Sequence, residues 1–207
     1  MIGSMKGDSA RGKQPGTRTA PQEPIKLAVF LGNPGRQYQR TRHNAAWMVI
    51  SEVTSADESA WKEKFHGRFL KEGSLTLLTP ETYMNHSGRS VQAARAFFGL
   101  DPAQIVVIHD DVETAFGTVE LAWGGGHRGQ NGVRSTIQAL GTSDFWRLRI
   151  GLGRPPSTRK PADWLLERFT PEEEAELPRI LWRAGHMVRE SLAHPVPQVQ
   201  PAPGSEQ

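Results

Sequence analysis

None of the 207 residues is cysteine. That absence excludes a disulfide framework, thiolate zinc sites, iron–sulfur clusters and a cysteine nucleophile, and it fits a reducing compartment. No apolar run approaches the roughly 18 residues needed to cross a bilayer, so no membrane span is expected. The first 24 residues lack the apolar stretch of a secretory signal. An excess of one charge is also missing. The 25 Lys+Arg and 22 Asp+Glu leave a formal +3, too small to indicate a nucleic-acid partner by its total, so placement matters more. The G-x-S-x-G elbow, the H-E-x-x-H helix and the Walker lysine are absent as well.

What is present divides into a middle and two ends. Residues 1–24 carry Pro15, Pro21 and Pro24 with little to bury, and residues 194–207 hold four prolines. Both ends read as disordered tails. Residues 25–193 then form one domain, large enough for a single packed core.

Within that domain short apolar runs alternate with segments of helical period. Leu27–Leu31 reads as a buried strand ending at Gly32-Asn33-Pro34-Gly35. Ala46, Val49, Ile50 and Val53 mark a helix, and 65–71 and 75–78 two strands joined by a tight turn. Val91, Ala94 and Phe98 line a helix that Gly99 closes, and Val133, Ile137 and Leu140 one that Gly141 stops. Strands are expected at 105–108, 118–123 and 145–152. Thr170-Pro171-Glu172-Glu173 carries the signs of a helix start, with Leu177, Ile180, Leu181, Ala184 and Val188 as its buried face. Pro178 is expected to kink or restart that helix, and 161–169 fits no single element. The class is α/β: a single domain with a mixed, mostly parallel twisted sheet and helices on both faces.

Four polar clusters sit at strand ends, where such folds place ligands. They are Gly32–Gly35 with Thr41-Arg42-His43-Asn44, Pro80–Gly88, His109-Asp110-Asp111, and Gly124–Gly132. The last contains G-x-G-x-x-G between a strand and a helix, with Asp144 further on, as a dinucleotide site would. Against that, Asp144 precedes the next strand, and His127, Arg128 and Gln130 crowd a loop that should be bare. A hydrolase with this composition needs water as nucleophile. His43 and Asp110 are the natural pair, an imidazole base and a carboxylate that fixes its tautomer. Asn33, Asn85 and Asn131 offer neutral amides for a peptide backbone, and the helix start at Asn131 offers N–H groups to an oxyanion. The competing readings are turn asparagines and structural histidines, and a metal site built from His109, Asp111, Glu113 and His127. Between 128 and 160 lie seven basic residues and one acid, a net +6. That is either a phosphate-binding face or a solvated one.

Taken together, G-N-P-G…T-R-H-N, T-Y-M-N-x-S-G, H-D-D, G-G-G-H-x-G-x-N-G and R-L-R-I-G-L-G-R-P, in that order, resemble the bacterial peptidyl-tRNA hydrolase family over about residues 25–190. The resemblance implies a cytoplasmic, monomeric hydrolase without metal or organic cofactor. It would cleave the ester between an N-blocked peptide and the 3′-terminal ribose of tRNA. By motif matching, His43 is the general base, Asp110 orients it and Asn33 positions base and ester. Asn85 and Asn131 hold the peptide, and Met84 and Tyr38 shape the cleft. Arg149 matches a family position that contacts tRNA phosphate, and Arg128, Arg159 and Lys160 of the basic stretch are further candidates for tRNA contact. Four positions depart from the family pattern. Gln130 replaces a common His and cannot titrate, Ala122 replaces a basic residue, Arg128 stands where Gly is usual, and Phe30 replaces a Gly. A non-catalytic RNA-binding relative and a metal-dependent phosphohydrolase built on His109-Asp110-Asp111 are the alternative functions.

Overall fold

A computed structural model describes residues 20–193. The two expected tails therefore lie outside the described residues, apart from Ala20–Pro24, of which Ala20 packs onto the core. Seven strands form one sheet in the order β2-β3-β4-β1-β5-β7-β6. They are β1 (Leu27–Phe30), β2 (Lys62–Lys64), β3 (Gly67–Glu72), β4 (Leu75–Pro80), β5 (Ile105–Asp111), β6 (Val119–Trp123) and β7 (Trp146–Gly151). The four central strands β4, β1, β5 and β7 run parallel. Hairpin β2-β3 at one edge and β6 at the other pair antiparallel.

The period-2 alternation of the central strands explains why both faces are covered. Leu27, Val29, Leu78, Ile105 and Val107 pack on one side with Val91, Ala94 and Val133 of helices α3 (Ser87–Phe98) and α4 (Asn131–Leu140). Ala28, Phe30, Leu77, Val106, Ile108, Leu148 and Ile150 pack on the other. There they meet α1 (Ala45–Met48), α2 (Ile50–Val53) and α6 (Pro171–Ala193), with α5 (Pro161–Leu165) lying in the otherwise unassigned 161–169 stretch. Gly99 and Gly141 close α3 and α4 in the left-handed conformation, as their sequence positions require.

Three details differ from the expectations. First, β5 runs three residues further, through His109-Asp110-Asp111, because its ladder with β7 continues after the apolar run ends. Second, α6 neither breaks nor restarts at Pro178. Pro178 lies on the exposed face, so the carbonyl left without an N–H donor there can turn to water. Thr170 and Glu173 exchange the reciprocal bonds of a capping box at its start. Third, Lys62–Lys64 forms strand β2, where no element was expected. In addition, α3 and α4 approach closely at Gly88, where a Cβ would lie 2.1 Å from the Ser135 carbonyl oxygen. At the second residue of α4, a Cβ on Gly132 would lie 2.6 Å from Met84 Sδ.

Candidate active site

The carboxyl ends of β1 and β5 and the amino ends of α3 and α4 converge on one cleft of about 810 Å³. Asn33, Tyr38, His43, Met84, Asn85, Asp110, Arg128 and Asn131 all line it. Sequence clusters separated by up to about a hundred residues thus meet at one end of the sheet, as strand-end loops of a parallel sheet must.

Asn33 ties the first two clusters together. Its Oδ1 accepts the Met84 N–H at 2.8 Å. Asn44 holds Asn33 from behind, accepting its N–H at 2.9 Å and donating to its carbonyl at 3.0 Å. Both Asn33 and Asn44 are buried. The turn bearing His43 is anchored by Arg42. Its guanidinium donates to Glu173 at 2.6 Å and lies 4.4 Å from the ring centre of Trp164. Neither Asn44 nor Arg42 stood out in the sequence as a support. The signal was their place in the T-R-H-N string, which gives no partner.

His43 Nδ1 lies 2.9 Å from Asp110 Oδ2. Burial lowers the His43 pKa, but the charge of Asp110 and its hydrogen bond more than offset that, and the net shift is upward. Burial raises the Asp110 pKa, yet His43, His109 and Gln130 together hold it below the ordinary value. An ionised carboxylate only accepts, so the proton of neutral His43 sits on Nδ1. Nε2 is then unprotonated, and it has no protein partner among the described residues. That is the arrangement of a base prepared to take a proton from water.

Gln130 is the N-cap of α4 and buried. Its Oε1 accepts from the N–H of Gly132 and Val133, while Nε2 donates to Asp110 Oδ1 at 2.8 Å. The expectation of free helix-start N–H groups at this loop is therefore corrected for Gly132 and Val133. Gly132 and Val133 are occupied by Gln130, and the Arg134 N–H bonds the Gln130 carbonyl.

The neighbouring charges serve the scaffold. His109 is fully inside, its Nδ1 donating to the Asp110 carbonyl at 2.7 Å, and burial lowers its pKa. Asp111 accepts from Arg128 at 3.1 Å and Thr114 at 3.1 Å, with Arg149 Nε at 3.6 Å. No group of three or more His, Asp or Glu is placed to hold a metal ion among the described residues. The Gly-rich loop is no dinucleotide turn either. β6 runs antiparallel to β7, so β6-α4-β7 is not the parallel crossover that such a site needs.

The basic stretch looks different once folded. Arg147 is 1 % exposed, donates to the Gly125 carbonyl at 2.8 Å and stacks on Phe145; burial and then Arg149 lower its pKa to about 10. Arg149 is 6 % exposed and lies between Asp111 and Glu120. Arg154 pairs with Glu113, and Arg159 with Glu167. Arg128, Arg159 and Lys160 are exposed, and the last two directly precede Pro161 and Ala162 of the cleft wall.

Comparison with known proteins returns the same description throughout. The family profile described as Peptidyl-tRNA hydrolase matches residues 27–202. The chain is 48 % identical over 164 residues to the peptidyl-tRNA hydrolase of Treponema pallidum, covering 75 % of this chain and 81 % of that one. It is 47 % identical over 170 residues to that of Mycobacterium tuberculosis, covering 78 % and 87 %. The crystal structure of peptidyl-tRNA hydrolase from Acinetobacter baumannii superposes with a TM-score of 0.65 at 30 % identity, covering 87 % of this chain and all of the other.

Proposed function

The chain belongs to the peptidyl-tRNA hydrolase family, and from that premise we propose that its cleft cleaves the ester of N-blocked peptidyl-tRNA with water activated by His43. The observation that carries the proposal is the buried His43–Asp110 pair, whose Nε2 is left to the cleft. His43 Nε2 takes a proton from water as the oxygen attacks the ester carbonyl. Asp110 stabilises the resulting imidazolium. The carbonyl oxygen becomes an oxyanion, and collapse of the tetrahedral intermediate expels the ribose hydroxyl, which receives the proton back from His43. An ester is already activated, so a base, an oriented water and hydrogen-bond donors suffice.

Asn33 lies between base and ester. Its Oδ1 is taken by Met84, which leaves its Nδ2 as a donor for the ester. Asn85 and Asn131, exposed at the starts of α3 and α4, hold the peptide backbone, with Tyr38 and Met84 as walls. Arg128, Arg159 and Lys160 supply the phosphate contacts to tRNA. Arg149 stiffens that surface from beneath, because its guanidinium is buried between two carboxylates. The enzyme acts as a monomer in the cytoplasm and uses no metal or organic cofactor. In the described residues no helix is long and apolar enough to cross a membrane.

Turnover of N-acetyl-aminoacyl-tRNA and of unblocked aminoacyl-tRNA, by the parent and by His43→Ala, tests the reading. The parent is expected to cleave the blocked form selectively. His43→Ala should lose at least about a thousandfold in kcat while retaining tRNA binding. Equal rates on both substrates contradict the substrate class, and an active His43→Ala contradicts the base.

A further inference from the structure

Gln130 joins β5 to the start of α4 beside the cleft and has no part in the chemistry above. Its amide spans two unlike neighbours. On one side Oε1 accepts the N–H groups of Gly132 at 2.6 Å and Val133 at 3.1 Å. On the other, Nε2 donates to Asp110 Oδ1 at 2.8 Å. The orientation of an amide is usually a matter of choice between two flips. Here two backbone donors demand the oxygen, so the nitrogen must face the carboxylate. Asp110 is thereby held by its two oxygens separately, Oδ1 by Gln130 and Oδ2 by His43.

We propose that Gln130 is a positioning residue for the hydrolysis, acting through Asp110: it locks the carboxylate to the start of α4 and supports its ionised form with a donor that carries no charge. The inference rests on His43 being the base. Its chemical sense lies in the contrast with a histidine at the same place, which would titrate in the same range as His43 and add a second ionisation to the dyad. An amide leaves the dyad to titrate alone. The charged and titratable neighbours are few. His43 faces Asp110, and Asp110 faces His43, Gln130 and the buried His109, whose pKa is lowered. Arg42 is engaged by Glu173, and Arg128 and Arg149 by Asp111.

Gln130→Glu separates positioning from capping. A carboxylate at that position still accepts the Gly132 and Val133 N–H groups and suits a helix N-terminus, so the cap survives, while the second buried carboxylate beside Asp110 is expected to lower Tm. The donor to Asp110 is lost, and a like charge is set against it. His43 then holds its proton more tightly. The acid limb of the kcat profile on N-acetyl-aminoacyl-tRNA is expected to move up by about one pH unit, with the plateau kcat lower by about tenfold and KM little changed. The His43 imidazole, followed by NMR in the same variant, is expected to show the same upward shift without reference to turnover. A limb and an imidazole titration that stay at the parental values overturn the proposal, whatever kcat does. With His43→Ala measured alongside, an inactive His43→Ala and an unshifted Gln130→Glu defeat only the positioning role. An active His43→Ala defeats the base reading on which it rests.

Discussion

Asp110 and Asp111 are neighbours on β5, equally buried, and differ in everything that surrounds them. Successive side chains on a strand project to opposite faces. Asp110 meets a histidine and an amide, both neutral at the moment the base acts, and its charge is available to an imidazolium when one forms. Asp111 meets two arginines and a threonine, and it also accepts the Glu113 N–H at 2.9 Å. Its charge is already matched, so it fixes loops. The difference shows that an acid serves chemistry where its counter-charge comes and goes. Where the counter-charge is permanent, the same side chain serves only the scaffold.

Substitution by the isosteric amide should split the pair. In Asp110→Asn the Gln130 donor claims the new amide's oxygen, which turns its NH₂ towards His43 Nδ1. The imidazole must then carry its proton on Nε2, where no base remains. A fall in kcat of about 10³–10⁴ is expected, with Tm close to the parent's; single-turnover rates and a thermal melt check both. Asp111→Asn should reverse the pattern. It leaves the buried Arg149 without one of its two counter-charges, at a cost of about 3 kcal/mol. That is about 6 °C or more in Tm, while kcat stays within about threefold. If both variants lost mainly activity, or both mainly stability, the distinction between the two carboxylates would collapse. The smallest effect is in pH dependence. The His43 pKa is raised above its ordinary 6.5, so its contribution to stability is fully present below that pH and is lost as pH rises through the raised value. The Asp110 pKa is lowered below 3.8, so its contribution is present above that value and is lost as pH falls through the lowered one. Parental Tm should therefore sag by a few degrees above about pH 6.5, where turnover rises, and the sag should vanish in His43→Ala.

How far these features could be read in advance follows from the range of the interactions. Strand and helix positions were legible because burial on a sheet or helix face repeats every two or 3.6 residues. The end of β5 was not, since His109–Asp111 keep their ladder with Arg149, Ile150 and Gly151 after the apolar signal stops. Residues from four of the five motifs line one cleft, His43 and Asp110 among them, whereas Arg149 and the rest of the fifth motif do not. The sum over 128–160 overstates the unpaired charge there, because a linear window counts arginines without their partners. Asp111, Glu113, Glu120 and Glu167 all lie outside that window and reach its arginines only through the fold. Gln130 looked in the sequence like a lost histidine. Its two-sided hydrogen bonding becomes visible only once α4 is set against β5.

The close approach of α3 and α4 at Gly88 has a consequence for the substrate. Asn85 lies two residues before α3 and Asn131 is the first residue of α4, so the gap between the helices sets the separation of the two amides. That gap is gauged by missing methyl groups, at Gly88 against Ser135 and at Gly132 against Met84. The cleft's calibre is thus written in positions that need never touch a peptide, and one carbon atom added behind the wall would re-space the grip on the chain in front of it.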